Sequence, residues 1–228
     1  PVITPNNGVQ ATQTCIVVNG ILCDLALHMA DLQAMANTGC NVIGIHNATK
    51  GVLRDMGQCL LDKFRPQSAN NGATQTTQQV IRDILGEENP PQIWGHSQGA
   101  ICVSNALKTI QNQGVEPEQM SKLDVTTLAG ACWTFPKGPH YRHFVNRLDV
   151  VPQGAGVGPY AWAQESDTTE VHYFSRLQKP THLPMARYGL ITYLARAIDQ
   201  SSHGLGDVYA PEVARVKAQA FPKASKAE

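Results

Sequence analysis

The chain has 228 residues with 18 basic and 18 acidic side chains, and therefore a formal net charge of zero. Its length suits one domain with a sizeable core, and its 42% hydrophobic content is typical of a globular protein. No basic cluster is long enough to follow a phosphate backbone, and no apolar run approaches the ~20 residues that cross a bilayer. These features argue against nucleic acid as a partner and against a transmembrane helix.

The chain begins at Pro1 rather than at a methionine. We therefore expect a processed product or a piece of a longer protein, and localisation stays open between a secreted protein, such as an effector, and part of a larger chain. A single domain over residues 1–228 is expected, with an N-terminal arm at about 1–13 and a frayed tail at 222–228.

The six cysteines are scattered and form no Cys-x-x-Cys pair, so no zinc site is expected. Most lie in or beside apolar segments, where a thiol behaves as a small hydrophobic group. One or two disulfides would fit the pattern if the protein is exported. The positions are Cys15, Cys23, Cys40, Cys59, Cys102 and Cys132.

Predicted strands and helices alternate along the chain. The first half contains strands at 15–19 and 41–46 and helices at 25–37, 52–64 and 74–85. The second half contains a strand ending at residue 94, a helix to about 113, strands at 125–130, 143–146 and 171–174, a helix at 185–198 and a short helix after 211. Short apolar strands that alternate with helices predict an α/β fold, a mostly parallel sheet with helices on both faces.

The most informative motif is Gly-x-Ser-x-Gly, at Gly95, Ser97 and Gly99, between a predicted strand and a predicted helix. A serine on such a turn is held in a strained conformation, and its hydroxyl projects above the sheet. The helix that follows directs its N-terminal amides toward charge that develops beside the serine. The motif therefore predicts that Ser97 is a nucleophile.

With this motif and these alternating elements, the chain resembles the α/β-hydrolase superfamily, nearest its lipase and serine-esterase branch. The resemblance covers roughly residues 15–198. About six strands are predicted where the fold often has eight, so a minimal version similar to cutinases and small lipases is expected. The resemblance implies hydrolysis of carboxylic ester or lipid acyl bonds through a Ser-His-Asp triad and an acyl-enzyme, without a cofactor or a metal ion.

The resemblance also implies an acid and a base. Asp149 follows a strand and precedes Val150, Val151 and Pro152, like the acid in many lipases, whereas Asp124 begins a strand and Asp167 lies in a polar loop. His182 follows the last strand and precedes a long helix, which is the position that the superfamily uses for the base. His203, on a polar loop, is the alternative base, and both assignments stay open.

Two backbone amides should form the oxyanion hole. Gln98, directly after the nucleophile, supplies one. The turn after the first strand resembles the His-Gly-x turn of lipases with Asn19 in place of histidine, so Ile21 is the candidate for the other. His96 and His172 are expected to be structural.

Residues 152–169 are rich in glycine and carry Tyr160 and Trp162. This composition suggests a small flap beside the site that contacts lipid, and hence a transient contact with a membrane surface. A hydrolase for an ester or lipid substrate is one hypothesis. The other is a non-catalytic binding or receptor module on the same fold.

Overall fold

A computed structural model describes residues 2–20, 23, 25–47, 72–158, 168–177 and 202–220. The helices predicted at 52–64 and 185–198 lie outside the described residues, as do Ile21, Tyr160, Trp162 and His182. Among the described cysteines, Cys15, Cys40 and Cys132 carry free thiols.

Seven strands in the described part of the chain form one sheet in the order β1-β3-β2-β4-β5-β6-β7. Neighbouring strands are parallel except β1, which pairs antiparallel with β3. The predicted strands are confirmed to within three residues at either end. The strands are β1 (Val2–Ile3), β2 (Gln13–Val18), β3 (Cys40–Ile45), β4 (Gln92–His96), β5 (Asp124–Leu128), β6 (His140–Asn146) and β7 (Thr169–Phe174).

The expected mostly parallel α/β sheet is therefore confirmed, with one strand more than the six that were predicted. The additional strand, β1, lies within the predicted N-terminal arm, where Val2 pairs with Ile43. Two residues are too short to show the alternation of apolar and polar residues that identifies a strand in a sequence.

Six helices and one π-helical turn are described, and the π-helical turn and the last helix follow β7. The π-helical turn spans Leu205–Tyr209 and leads directly into the last helix. The predicted helices at 25–37, 74–85, 98–113 and after 211 are confirmed. The helices are α1 (Leu25–Ala36), α2 (Gly72–Ile84), α3 (Gln98–Asn112), α4 (Pro117–Met120), α5 (Val150–Ala155) and α6 (Ala210–Ala220).

Helices cover both faces of the sheet because alternate side chains of each strand point to opposite faces. In β2, Ile16 and Val18 pack in one buried cluster with residues of α2 and α3. Cys15 and Val17 pack in a second cluster with residues of α1 and the π-helical turn. Each face of β2 therefore has its own apolar core.

The strand order places a crevice at the carboxyl end of β2. β3 lies on one side of β2 and β4 on the other, so the connections after β2 and β4 diverge across the sheet. Sites in open parallel sheets form at such a switch point. Gly20 follows β2 and Ser97 follows β4, which puts the predicted nucleophile at this crevice.

The beginning of the predicted flap packs against a neighbouring loop. Residues Val150–Ala155 form α5, and Val157 is buried. A Cβ on Gly156 would lie 2.0 Å from the carbonyl oxygen of Gly130, so this backbone lies directly against the neighbouring loop. The flap over residues 152–169 stays a prediction, and its aromatic residues Tyr160 and Trp162 lie outside the described residues. In the described residues, no helix combines the length and apolar character that crossing a membrane requires.

Gly99→Ala tests how tightly α3 packs against β2. A Cβ at Gly99 would lie 2.1 Å from the carbonyl oxygen of Val18, and backbone atoms cannot move away as a flexible side chain can. We expect the free energy of unfolding to fall by about 1–3 kcal/mol or more. Chemical denaturation measures this change.

Gly86→Ala is the matched control, because a Cβ at Gly86 has no atom within 4 Å. Its effect should stay within about 1 kcal/mol. Equal stability of the two variants would contradict the close approach of α3 to β2.

Candidate active site

Ser97 occupies the turn between β4 and α3, as its motif predicts. Its φ of 53° lies in the left-handed region, which a residue with a side chain rarely adopts. Three backbone hydrogen bonds of 3.1 Å hold this conformation. Ser97 N donates to Leu128 O, and Ser97 O accepts from the amides of Ala100 and Ala131. The strain at the serine is therefore offset by contacts with the end of β5 and with α3.

Glycines let backbone segments approach Ser97 closely. A Cβ on Gly20 would lie 2.6 Å from Ser97 Cβ, and one on Gly95 would lie 2.8 Å from Ala100 Cα. The end of β2 thus faces the serine directly. This is the loop in which the second oxyanion donor was predicted.

Asp149 lies between β6 and α5 and is fully buried. Its Oδ1 accepts a hydrogen bond from Val151 N at 2.9 Å. Its Oδ2 accepts two, from His203 Nδ1 at 2.7 Å and from the Tyr209 hydroxyl at 2.9 Å. These donors replace the water that burial removes from the carboxylate.

The ring of His203 lies beside the ring of His96, and the residue is 5% exposed. Because its Nδ1 donates to Asp149, the other ring nitrogen, Nε2, is the acceptor in the neutral imidazole. His96 Nε2 donates to the carbonyl oxygen of His203 at 2.9 Å, and the two ring centroids are 4.9 Å apart. These contacts hold His203 against His96, the residue that directly precedes Ser97.

The structure therefore brings Asp149 together with His203, the alternative base of the sequence analysis. His182 lies outside the described residues, and its assignment as base stays a prediction. His172 lies on β7 with its Nε2 3.1 Å from Glu170 Oε2, which agrees with the expected structural role. Asp124 begins β5 and so lies at the end of the sheet away from Ser97.

His96 has the packing and hydrogen-bonding role expected for it. Burial, together with the nearby imidazole of His203, lowers the pKa of His96 to about 3. The ring is therefore neutral at ordinary pH, and its Nε2 must carry the proton because its partner is a carbonyl oxygen.

An amide network joins the ends of three strands near the predicted oxyanion hole. Asn19 Oδ1 accepts from Asn47 N at 2.5 Å, and Asn47 Nδ2 donates to Gln98 Oε1 at 2.7 Å. Gln98 begins α3, so its amide lies at the positive end of the helix dipole. Ile21, the other predicted donor, lies outside the described residues.

Sequence reasoning missed two residues that build the acid and base. Asn146 is fully buried, and its Nδ2 donates to the carbonyl oxygens of Arg176 at 2.7 Å and Ser202 at 2.8 Å. This side chain fixes the loop that carries His203. The role of Asn146 could have been predicted, because it is a polar residue at the end of the apolar run before Asp149. Tyr209 has no such signal in the sequence, because its approach to Asp149 depends on the π-helical turn.

Neither a scan of protein-family models nor a search of curated proteins finds a match. Among solved structures, the chain is similar to the esterase domain of a Rhodothermus marinus protein. The identity is 11% over 96% of this chain and 90% of that chain, with a TM-score of 0.47. It is also similar to a ferulic acid esterase from Streptomyces cinnamoneus. That identity is 16% over 97% of this chain and 66% of that chain, with a TM-score of 0.43. Neither likeness is high enough to carry a function, so the chemistry assigned to this chain has to come from its own residues.

Proposed function

We propose that this protein is a serine hydrolase of carboxylic esters with Ser97 as nucleophile, His203 as general base and Asp149 as the acid. The hydrogen bond of 2.7 Å between His203 Nδ1 and the buried Asp149 carboxylate supports this most strongly. It lies at the sheet edge that carries Ser97 in its left-handed turn. A strained serine, an oriented imidazole and a buried carboxylate are the parts that acyl transfer by a serine needs.

The proposed reaction has two stages. His203 Nε2 takes the proton of the Ser97 hydroxyl as Oγ attacks the ester carbonyl, and the imidazolium that forms is stabilised by Asp149. The amide of Gln98, at the N-terminus of α3, donates to the developing oxyanion. The imidazolium then protonates the alcohol that leaves. In the second stage, water attacks the acyl-enzyme with the same base, and the acid product is released.

The alternative is a non-catalytic binding module. It explains less well why the fold retains a strained serine and a buried carboxylate, since both features lower its stability. A left-handed serine destabilises a fold by roughly 1–3 kcal/mol. A carboxylate removed from water adds a desolvation cost of its own. A protein that only binds has no use for a strained serine next to a buried carboxylate and imidazole. Reaction with a fluorophosphonate, which labels activated serines, separates the two hypotheses.

Ser97→Ala and His203→Ala should each lower the kcat/KM for a p-nitrophenyl ester by at least about a thousandfold, because nucleophile and base act as one unit. In the wild type, kcat/KM should fall as the pH is lowered, since only a neutral imidazole accepts the serine proton. Steady-state kinetics over a pH series measures both effects.

His182→Ala is the matched histidine variant, and we expect it to keep nearly full activity. An inactive His182→Ala together with an active His203→Ala would move the base to His182. Wild-type rates for Ser97→Ala, with an unchanged circular dichroism spectrum, would exclude Ser97 as the nucleophile.

The surface around the acid suggests what kind of ester is cleaved. Leu148 and Val150 flank the buried Asp149 and are 47% and 64% exposed, and Leu177, after β7, is 65% exposed. Arg147 and Arg176 are exposed beside them. We call these five residues the basic apolar rim.

Backbone contacts hold the two halves of the basic apolar rim side by side. Arg147 N donates to Phe174 O at 2.8 Å, and Arg176 N donates to Asn146 Oδ1 at 3.1 Å. The Arg147 guanidinium also lies 4.9 Å from the centre of the Tyr173 ring. The apolar side chains and the arginines therefore belong to one surface at the carboxyl ends of β6 and β7.

Apolar side chains mixed with arginines fit the boundary of an anionic lipid layer, where the former enter the acyl region and the latter contact phosphates. Two residues of the rim, Leu148 and Val150, are the chain neighbours of the acid. We therefore propose lipid esters in such a layer as the substrate, with a transient membrane contact through the basic apolar rim.

Replacing both rim arginines, as Arg147→Gln with Arg176→Gln, should weaken binding to phosphatidylglycerol vesicles by roughly tenfold or more, since each arginine near an anionic surface contributes about 1 kcal/mol. Leu148→Ser with Val150→Ser should weaken it as well. Co-sedimentation with vesicles measures the binding, and Ser97→Ala serves as the parent so that no lipid is hydrolysed.

Val9→Ser with Val2→Ser is the matched control, because these valines are 46% and 59% exposed but lie on the N-terminal arm. It should bind vesicles like the parent. No binding by the parent, or equal losses in rim and control variants, would remove the lipid surface from the proposal and leave a hydrolase of soluble esters.

A further inference from the structure

The contacts of the Tyr209 hydroxyl fix which hydrogen bond it donates and which it accepts. It accepts from the backbone amide of Asn146 at 3.2 Å and donates its only proton to Asp149 Oδ2 at 2.9 Å. A backbone N–H can only donate, and a carboxylate accepts, so no other arrangement satisfies both contacts. Burial, followed by the nearby charge of Asp149, raises the pKa of Tyr209 well above its usual range, so the hydroxyl keeps this proton.

The π-helical turn holds the tyrosine ring in place. Val208 N and Tyr209 N both donate to the carbonyl oxygen of Gly204, at 3.0 and 3.3 Å, which brings residue 209 back under the loop of His203. The ring is fully buried and meets Phe174 edge-on at 5.1 Å between centroids. The hydroxyl therefore has no freedom to leave Asp149 without a change in the turn.

Tyr209 and His203 share one oxygen of the acid. Both donate to Asp149 Oδ2, whereas Oδ1 is bound by Val151 N. Each donor withdraws negative charge from the oxygen that it shares with the other, so a stronger bond from the tyrosine leaves less charge to stabilise a protonated imidazole.

We propose that Tyr209 is a positioning residue that acts through Asp149 to limit the basicity of His203 and to hold the carboxylate in line with the imidazole. This inference rests on the proposed function, since it gives His203 the role of general base. The tyrosine contacts neither the nucleophile nor a substrate, so its effect on a reaction passes through the acid.

Among the described residues, three titratable groups face the imidazole from the elements packed around it. They are His96 at the end of β4, Asp149 after β6 and Tyr209 on the π-helical turn. Asp31 of α1 lies behind them and accepts from Gly206 N at 3.0 Å. Because burial lowers the pKa of His96 to about 3, this neighbour stays neutral over the pH range of the assay.

Tyr209→Phe should raise the midpoint of the acid limb of kcat/KM by roughly half a unit to one unit, because the carboxylate regains the charge that the hydroxyl withdrew. The value of kcat on the plateau should fall by about tenfold, because one of the bonds that orient the carboxylate is lost. KM should change little. The pH profile of ester hydrolysis gives all three quantities.

Tyr141→Phe is the matched control for the loss of a buried tyrosine hydroxyl. Tyr141 is 6% exposed, and its hydroxyl donates to Pro136 O at 2.7 Å, away from Asp149. It should lower the denaturation midpoint about as much as Tyr209→Phe and leave the pH profile unchanged. An unchanged or lowered midpoint of the acid limb in Tyr209→Phe, with only stability reduced, would make Tyr209 a purely structural residue.

A second experiment tests the inference without the Tyr209→Phe variant and without ester hydrolysis. It therefore applies even if that variant does not fold or the protein hydrolyses no ester. In Ser97→Ala with 3,5-difluorotyrosine incorporated at position 209, the more acidic phenol donates more strongly, and the ring keeps its size. NMR titration of the His203 imidazole should then give a lower midpoint than in Ser97→Ala alone. A midpoint that stays the same or rises overturns the inference, whether or not the protein hydrolyses esters.

Discussion

The buried carboxylate of Asp149 is the constraint on which the site depends. A charge removed from water destabilises a fold unless hydrogen bonds replace the lost hydration. Its donors come from separate segments, Val151 in α5, His203 on the last described loop and Tyr209 on the π-helical turn. Leaving the carboxylate without one of them is costly, so burial of this one group holds the C-terminal segment against the end of β6.

The sheet supplies the second requirement, a serine held against its conformational preference. The left-handed backbone of Ser97 is fixed by hydrogen bonds from β5 and α3, and the glycines at 20 and 99 let β2 approach it. The acid is fixed to β6 through Asn146, whose side chain also binds the loop of His203. Nucleophile and acid thus follow β4 and β6, two strands of one sheet with only β5 between them, which preserves their relative positions.

The features that could be predicted from the sequence are those whose pattern lies within one short segment of the chain. The strands and the Ser97 turn were predictable, because apolar runs and the glycine spacing around residue 97 carry their own structural signal. Asp149 could be named because a recognisable strand ends just before it. β1 was missed because its two residues show no periodicity.

The partner of Asp149 could not be chosen from the sequence, for a physical reason. His182 and His203 both follow the last strand in the sequence, and nothing local tells which of them returns to the carboxylate. That choice is made by Asn146, which binds the carbonyl oxygen of Ser202, and by the π-helical turn that returns Tyr209 to Asp149. Both are contacts between residues more than 50 positions apart, which a pattern within one segment cannot reveal.

The central claim is that Ser97, His203 and Asp149 act as one site. A crystal structure of the protein after reaction with a p-nitrophenyl phosphonate tests it most directly, because the adduct resembles the tetrahedral intermediate. We predict a phosphorus atom bonded to Ser97 Oγ, His203 Nε2 within about 3 Å of an oxygen on that phosphorus, and Nδ1 still bound to Asp149. Phosphorus on another residue, or an adduct on Ser97 in which a different histidine contacts the phosphonate, would contradict it.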